Sequence, residues 1–142
     1  MTQIDFYVMS GGDLSDALKV ACRLTEKALA KGRVYIHCQD KVQAATLHEN
    51  LWSFREDAFI PHELHSDNRS PSDNVVIGYQ NPPDQFHDIL INLALETPGV
   101  FARFERLLEI VPAEHHAREK CRQKYRFYKD RGYPLAKHDI GI

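Results

Sequence analysis

Seven cationic side chains lie between Pro112 and Gly132, and only three acids oppose them. This stretch carries a net charge of +4 whereas the whole chain carries −2, so the remainder sums to −6. The cations are Arg118, Lys120, Arg122, Lys124, Arg126, Lys129 and Arg131. A positive helix on an otherwise negative chain indicates an anionic partner.

The spacing of these residues concentrates the charge on one side of the predicted helix. At about 100° per residue, several side chains fall within a band about 60° wide. The band contains Arg118, Arg122, Tyr125 and Lys129, with Arg126 at its edge, and the neighbouring core face contains Ala117, Cys121 and Tyr128. Guanidinium forks suit carboxylates or phosphates, and a tyrosine ring supplies an apolar wall. The residues alone leave three interpretations open: a solvated face, a phosphate-binding face, or a site for an acidic peptide.

No other pattern is typical of a catalytic, nucleotide or metal site. The turn at residues 10–13 lacks both glycine-rich phosphate-loop motifs, and its two glycines fit a tight strand-to-helix turn. His115 and His116 diverge by about 100° on a helix, and neither C-x-x-C nor H-E-x-x-H occurs. No serine lies in G-x-S-x-G. The sequence therefore predicts no catalytic residue, no metal ion and no cofactor.

A second feature is a run without periodicity, residues 51–64, that is rich in apolar side chains. It contains Trp52, Phe54, Phe59, Ile60 and Pro61. One interpretation is that these side chains cover an edge of the sheet. The alternative is an exposed aromatic patch for a protein partner, because aromatic anchors dominate interface energies.

Alternating strands and helices must position these residues. Strands are expected at residues 4–9, 33–38, 74–79 and 88–95, and the last of these is the most hydrophobic and is expected to be central. Helices are expected at residues 14–30, after an Asp40 cap, and from Pro112 onward. Residues 65–73 and 80–85 are predicted as a loop and a turn, 98–104 as a short helical turn, and 106–111 as a short strand or helix end. This order predicts a three-layer α/β fold with a mainly parallel sheet flanked by helices.

Length and composition indicate one domain spanning residues 1–142. The net charge of −2 argues against a general nucleic-acid binder, which would be basic overall. No signal peptide is expected, and no stretch approaches the length needed to cross a bilayer. The three cysteines, Cys22, Cys38 and Cys121, fit free thiols in a reducing cytoplasm.

Several short segments, taken in order and spacing, resemble one known family along essentially the whole chain. They are DFY at residues 5–7, LW at 51–52, FIPH at 59–62, DILINL at 88–93, VP at 111–112, and R-x-x-Y-R-x-Y-K-x-x-G-Y at 122–133. The family is the chi subunit of the bacterial DNA polymerase III holoenzyme. The segment 65–73 departs from the family pattern, and Phe54 has no clear counterpart in it.

The resemblance implies a non-catalytic accessory subunit of the clamp loader in DNA replication. It implies an α/β fold like that of nucleotide-binding domains, but without the phosphate loop. Two partners are implied: the psi subunit, which tethers chi to the clamp loader, and the acidic C-terminal tail of single-stranded-DNA-binding protein. The chain would then contact DNA indirectly through that protein, in the cytoplasm at the replisome on the nucleoid, and would have no membrane partner.

Carried over residue by residue, the resemblance assigns two sites. The tail pocket comprises Arg122, Tyr125 and Arg126 within the matched motif, with Val111 and Tyr133 as apolar walls and Arg118 added by the helical stripe. The psi interface comprises Trp52, Phe59, Pro61 and His62. Two other hypotheses remain: a direct single-stranded-DNA binder that uses the basic C-terminal helix, and a nucleotide-dependent enzyme built on the sheet.

Overall fold

The structure is a computed structural model that describes residues 1–57, 59–66 and 70–141. Ala58 in the aromatic run, residues 67–69 in the predicted loop, and Ile142 lie outside the described residues. The described strands are β1 (Gln3–Met9), β2 (Val34–His37), β3 (Glu63–Leu64), β4 (Val75–Gly78), β5 (Ile89–Asn92), β6 (Arg106–Val111) and β7 (Leu135–Ile140). The helices are α1 (Leu14–Leu29), α2 (Lys41–Ser53) and α3 (His115–Asp130), with one 3-10 turn at Phe101–Arg103.

The seven described strands form one sheet in the order β3-β4-β2-β5-β6-β1-β7. Every pairing among them is parallel, so the predicted α/β class is confirmed and the sheet is more uniformly parallel than expected. β5 occupies the middle of the sheet, as its apolar sequence predicted, and its four residues are all buried. A parallel strand buried on both faces needs such a continuous apolar run.

Alternate residues of the strands serve two cores, one on each face of the sheet. Val34 and Ile36 of β2 pack in the core that also holds the apolar sides of α1 and α2. Tyr35, between them, packs in the core that contains Tyr128 of α3. Side chains alternate across a strand, so α1 and α2 cover one face and α3 covers the other.

Three features differ from the sequence-based prediction. β3 and β7 were not predicted, because β3 has only two residues and β7 has no fully buried residue, so neither has the apolar run of a central strand. Pro112 was predicted to open the last helix, but α3 begins at His115. The Glu114 side chain caps the helix by accepting hydrogen bonds from the backbone N–H groups of His116 and Ala117, each at 2.9 Å.

A buried polar cluster attaches α3 to the sheet. The Glu109 carboxylate on β6 has no exposed surface, and its Oε1 accepts from Lys124 Nζ at 2.7 Å and from Asn92 Nδ2 at 2.9 Å. Its Oε2 accepts from the Tyr128 hydroxyl at 2.7 Å. Burial and the neighbouring Glu109 carboxylate raise the pKa of Tyr128, so this hydroxyl remains a donor. Lys124 is thus an internal cation, although the sequence-based charge count places it with the surface cations.

Candidate functional site

A pocket of about 480 Å³ opens where α3 passes the carboxyl ends of β1 and β6 and lies beside β7. It is lined by Val8, Met9, Ser10, Val111, Arg118, Cys121, Arg122, Lys137 and Asp139. The strands supply an apolar floor and α3 supplies two guanidinium groups at the wall. We call this pocket the α3 pocket.

The two arginines of the α3 pocket differ in how firmly they are held. Arg118 donates from Nη2 to the carbonyl oxygen of Met9 at 2.9 Å, and its buried Nε has no partner within the described residues. Arg122 is largely exposed, and its Nη1 lies 3.1 Å from Glu119 Oε1 one helical turn away. An exposed ion pair of this kind contributes little free energy. Arg122 can therefore reorient its guanidinium group toward an anionic ligand with little loss of free energy.

Tyr125 and Arg126 extend the same face of α3 beyond the pocket. The Tyr125 ring lies 5.5 Å from the Phe6 ring, which holds one side of it, and 40% of the residue remains exposed. Arg126 is exposed on the next position. Neither residue lines the pocket, so they form its rim toward the C-terminal half of the helix.

The structure does not bring Tyr133 to this site. α3 ends at Asp130, and Gly132 reverses the chain with a φ of +80°. Tyr133 then packs against Phe101, with ring centroids 5.2 Å apart, and belongs to the core beneath α3. Val111, the other predicted apolar wall, does line the pocket, although only 2% of it is exposed.

Six lining residues were not assigned to the site from the sequence: Val8, Met9, Ser10, Cys121, Lys137 and Asp139. Lys137 and Asp139 reach it because β7 pairs with β1, and that pairing has no local sequence signal. Cys121 lies one helical turn from Arg118 and was assigned to the core. Burial raises the pKa of the Cys121 thiol, which keeps it neutral and makes it part of the apolar wall.

The second predicted site is an exposed aromatic surface at the end of α2, formed by Trp52, Phe59 and Pro61. Phe59 is 76% exposed and Trp52 is 44% exposed, and their ring centroids lie 5.6 Å apart. Ile60, between Phe59 and Pro61, is buried in the core on the α1 and α2 face. The run therefore packs Leu51, Ile60 and the half-buried Phe54 against the core and presents two aromatic rings to solvent.

His62 is buried and packs against the inner side of this aromatic surface. Only 3% of it is exposed, and its Nδ1 and Nε2 lie 2.6 Å and 2.8 Å from the carbonyl oxygens of Ile60 and His48. The Trp52 ring lies over it with a centroid distance of 4.2 Å. His62 thus positions Trp52 and has little surface of its own for a partner.

A crevice lies where α1 and α3 leave adjacent strands, β1 and β6, on opposite faces of the sheet. Ligands of open α/β folds bind at such points, and phosphates bind there to helix N-termini. Here both N-termini already hold carboxylates. Asp13 caps α1, where the Ser15 hydroxyl and the Asp16 N–H lower its pKa, and the His116 and Ala117 N–H groups lower that of Glu114. A nucleotide phosphate would meet two negative charges in this crevice.

Within residues 1–57, 59–66 and 70–141, no three or more His, Cys, Asp or Glu side chains lie where they could hold a metal ion together. Across the same ranges, no helix combines the length and apolar character that a membrane span requires.

Comparison with known proteins gives a consistent assignment. The family model described as "DNA polymerase III chi subunit, HolC" matches residues 1–136. The chain is 48% identical over 142 residues to DNA polymerase III subunit chi of Pseudomonas aeruginosa, covering 99% of this chain and 98% of the relative. It is 28% identical over 141 residues to the chi subunit of Escherichia coli K12, covering 95% and 96%, and 25% identical over 138 residues to that of Haemophilus influenzae, covering 96% of each chain.

Proposed function

The chain belongs to the DNA polymerase III chi subunit family and acts as an accessory subunit in DNA replication, and on that premise we propose that it bridges two partners without catalysing a reaction itself. One partner is the psi subunit of the clamp loader. The other is the acidic C-terminal tail of single-stranded-DNA-binding protein. This role would place the chain in the cytoplasm, at the replisome on the nucleoid.

The observation that carries this proposal is the chemistry of the α3 pocket. An acidic tail ending in phenylalanine needs a cationic fork for its terminal carboxylate and an apolar slot for its ring. Arg122 offers the fork, Arg118 adds a second positive charge although its Nη2 is held by Met9, and Val8 and Val111 offer the slot. We expect an affinity on the micromolar scale, or about 8 kcal/mol, because the contact is small and exposed. The charged part of this binding should weaken with added salt.

A pull-down tests the proposal directly. The chain is expected to retain full-length single-stranded-DNA-binding protein and to lose it when the acidic tail is deleted, because the tail supplies the ligand of the α3 pocket. The retained fraction is measured on gels after washes at low and moderate salt. Equal retention of the full-length and the tail-deleted protein would exclude the tail as the ligand. A bare oligonucleotide that displaces the full-length protein and binds α3 would favour direct DNA binding by that helix.

The aromatic surface supports the proposal that psi binds at the end of α2. Trp52→Ala is expected to weaken psi binding by about 2 kcal/mol, roughly 30-fold, because exposed aromatic anchors carry most of the energy of such contacts. The affinity is measured by titration calorimetry with purified psi.

Val42→Ala is the matched control on the same helix. Val42 is 75% exposed and lies in the first turn of α2, away from the aromatic surface, so this change should leave psi affinity unaltered. Equal affinities of the Trp52 and Val42 variants would contradict the assignment. The melting temperatures of both variants are compared to show that the fold is intact.

A further inference from the structure

A second cationic stripe lies on α1, on the face of the sheet opposite α3. Lys19, Arg23 and Lys27 follow one another at intervals of four residues, and Lys31 continues the spacing in the turn after the helix. All four side chains are exposed. At about 1.5 Å per residue, the three cations within α1, Lys19, Arg23 and Lys27, stand about 6 Å apart along the helix axis. We propose that this stripe and the groove beside it bind the phosphate backbone of single-stranded nucleic acid.

The cations of the stripe are available to a ligand. Within residues 1–57, 59–66 and 70–141, Arg23, Lys27 and Lys31 form no ion pair. Lys19 has only a 4.0 Å contact with Asp16. The carboxylate closest to the stripe in sequence, Glu26, is engaged by Arg55 from outside the helix. The stripe therefore keeps its positive charge exposed.

The groove between α1 and α2 adds a shaped site beside the stripe. Its volume is about 330 Å³, and it is lined by Ser15, Lys19, Cys22, Arg23, Asn50, Ser53 and Phe54. The lining contains two cations, Lys19 and Arg23, and no carboxylate, and Asn50 adds an amide that can donate a hydrogen bond. The Ser15 and Ser53 hydroxyls already donate to Asp13 and to the Glu49 carbonyl oxygen. Burial raises the pKa of the Cys22 thiol to about 12, so this residue adds no negative charge. A groove of this composition favours a phosphate over any cationic ligand.

The arrangement fits a nucleic-acid strand better than an acidic peptide. Evenly spaced cations along a line match the repeating charges of a phosphate backbone. A peptide that ends in an apolar residue needs a site in which an apolar slot lies beside the cations, as in the α3 pocket. In the groove beside the α1 stripe, Phe54 is the one large apolar side chain of the lining. Because α1 and α3 lie on opposite faces of the sheet, the two sites do not compete for space.

The proposal is tested with a fluorescent oligothymidylate of about 16 nucleotides, the upper end of single-strand site sizes. At low salt the unmodified chain is expected to bind it, with a slope of log affinity against log salt of about −3 for four phosphate contacts. The triple variant Lys19→Gln, Arg23→Gln, Lys27→Gln keeps only Lys31, so it should bind at least roughly tenfold more weakly, with a slope of about −0.7. Fluorescence anisotropy at several salt concentrations gives both quantities, and circular dichroism checks the fold.

The matched control removes the same number of charges from α3, in the variant Arg122→Gln, Arg126→Gln, Lys129→Gln. It should bind the oligonucleotide as the unmodified chain does and lose the acidic tail peptide, whereas the α1 variant should keep the peptide. This inference is independent of the proposed tail pocket, because each variant reports on one site. No binding by the unmodified chain at low salt would overturn it, as would equal losses in both variants or loss in the α3 variant alone. Binding of a polyaspartate peptide but not the oligonucleotide at α1 would overturn it as well.

Discussion

An Arg122→Ala chain is expected to bind an acidic peptide ending in phenylalanine roughly 10- to 100-fold more weakly than the unmodified chain. A hydrogen bond to a charged group contributes about 1.5–3 kcal/mol, and each 1.4 kcal/mol is about tenfold in affinity. The native partner that Arg122 would give up is the exposed Glu119, so little is lost in the free chain. Titration calorimetry with the peptide measures the change, and the melting temperature should stay the same.

Two milder substitutions separate the contributions to this site. Arg122→Lys keeps the charge and removes the planar fork, so it should recover only part of the affinity. Tyr125→Phe keeps the ring that contacts Phe6 and should bind almost normally, whereas Tyr125→Ala removes the wall and should not. If Arg122→Ala and Tyr125→Ala both bind the peptide normally, the peptide does not bind at the α3 pocket.

A Lys124→Met chain is expected to lose about 3–5 kcal/mol of its free energy of unfolding, because the substitution leaves the Glu109 charge buried without a counter-ion. Glu109 has no exposed surface and would keep only the hydrogen bonds from Asn92 and Tyr128. For a chain of this length, such a loss lowers the melting temperature by roughly 10 °C. Urea unfolding at neutral pH measures the change.

Lys120→Met on the same helix is the matched control. Lys120 pairs with Glu96 at 2.8 Å, but the Glu96 side chain is 72% exposed, so the cost should stay below about 1 kcal/mol. Adding Glu109→Gln to Lys124→Met should restore much of the stability, since no unpaired buried charge then remains. Equal costs for Lys120→Met and Lys124→Met would show that the buried pair does not stabilise the attachment of α3.

Structural features that depend on a few neighbouring residues were predicted correctly from the sequence. The Asp40 cap of α2 and the central position of β5 are both present, because a capping side chain and a continuous apolar run act within a few residues. β7 was missed because none of its residues is fully buried and its partner, β1, is more than 120 residues away in the sequence. Long-range pairing of this kind leaves no local pattern.

The candidate site likewise has some features that local sequence predicts and others that depend on distant residues. The cationic face of α3 was predicted because helical periodicity alone places Arg118, Arg122 and Tyr125 together. Lys124 was counted with the surface cations, although it stands seven residues after the buried Ala117 and so on the same side of the helix. Lys124 can be buried because Glu109 on β6 supplies its counter-ion, and that contact is not visible in the sequence of the helix.

The position of β1 has a consequence for synthesis on the ribosome. Of the seven described strands, β1 is translated before all the others, yet its two neighbours in the sheet, β6 and β7, are translated after the other four. The apolar residues of β1 therefore cannot pair with β6 and β7 until both of those strands have been translated. Pairings so distant in sequence fold slowly and leave apolar surface exposed meanwhile. A chain cut short before β6 would leave β1 without either neighbour, so we expect truncated products to aggregate or be degraded.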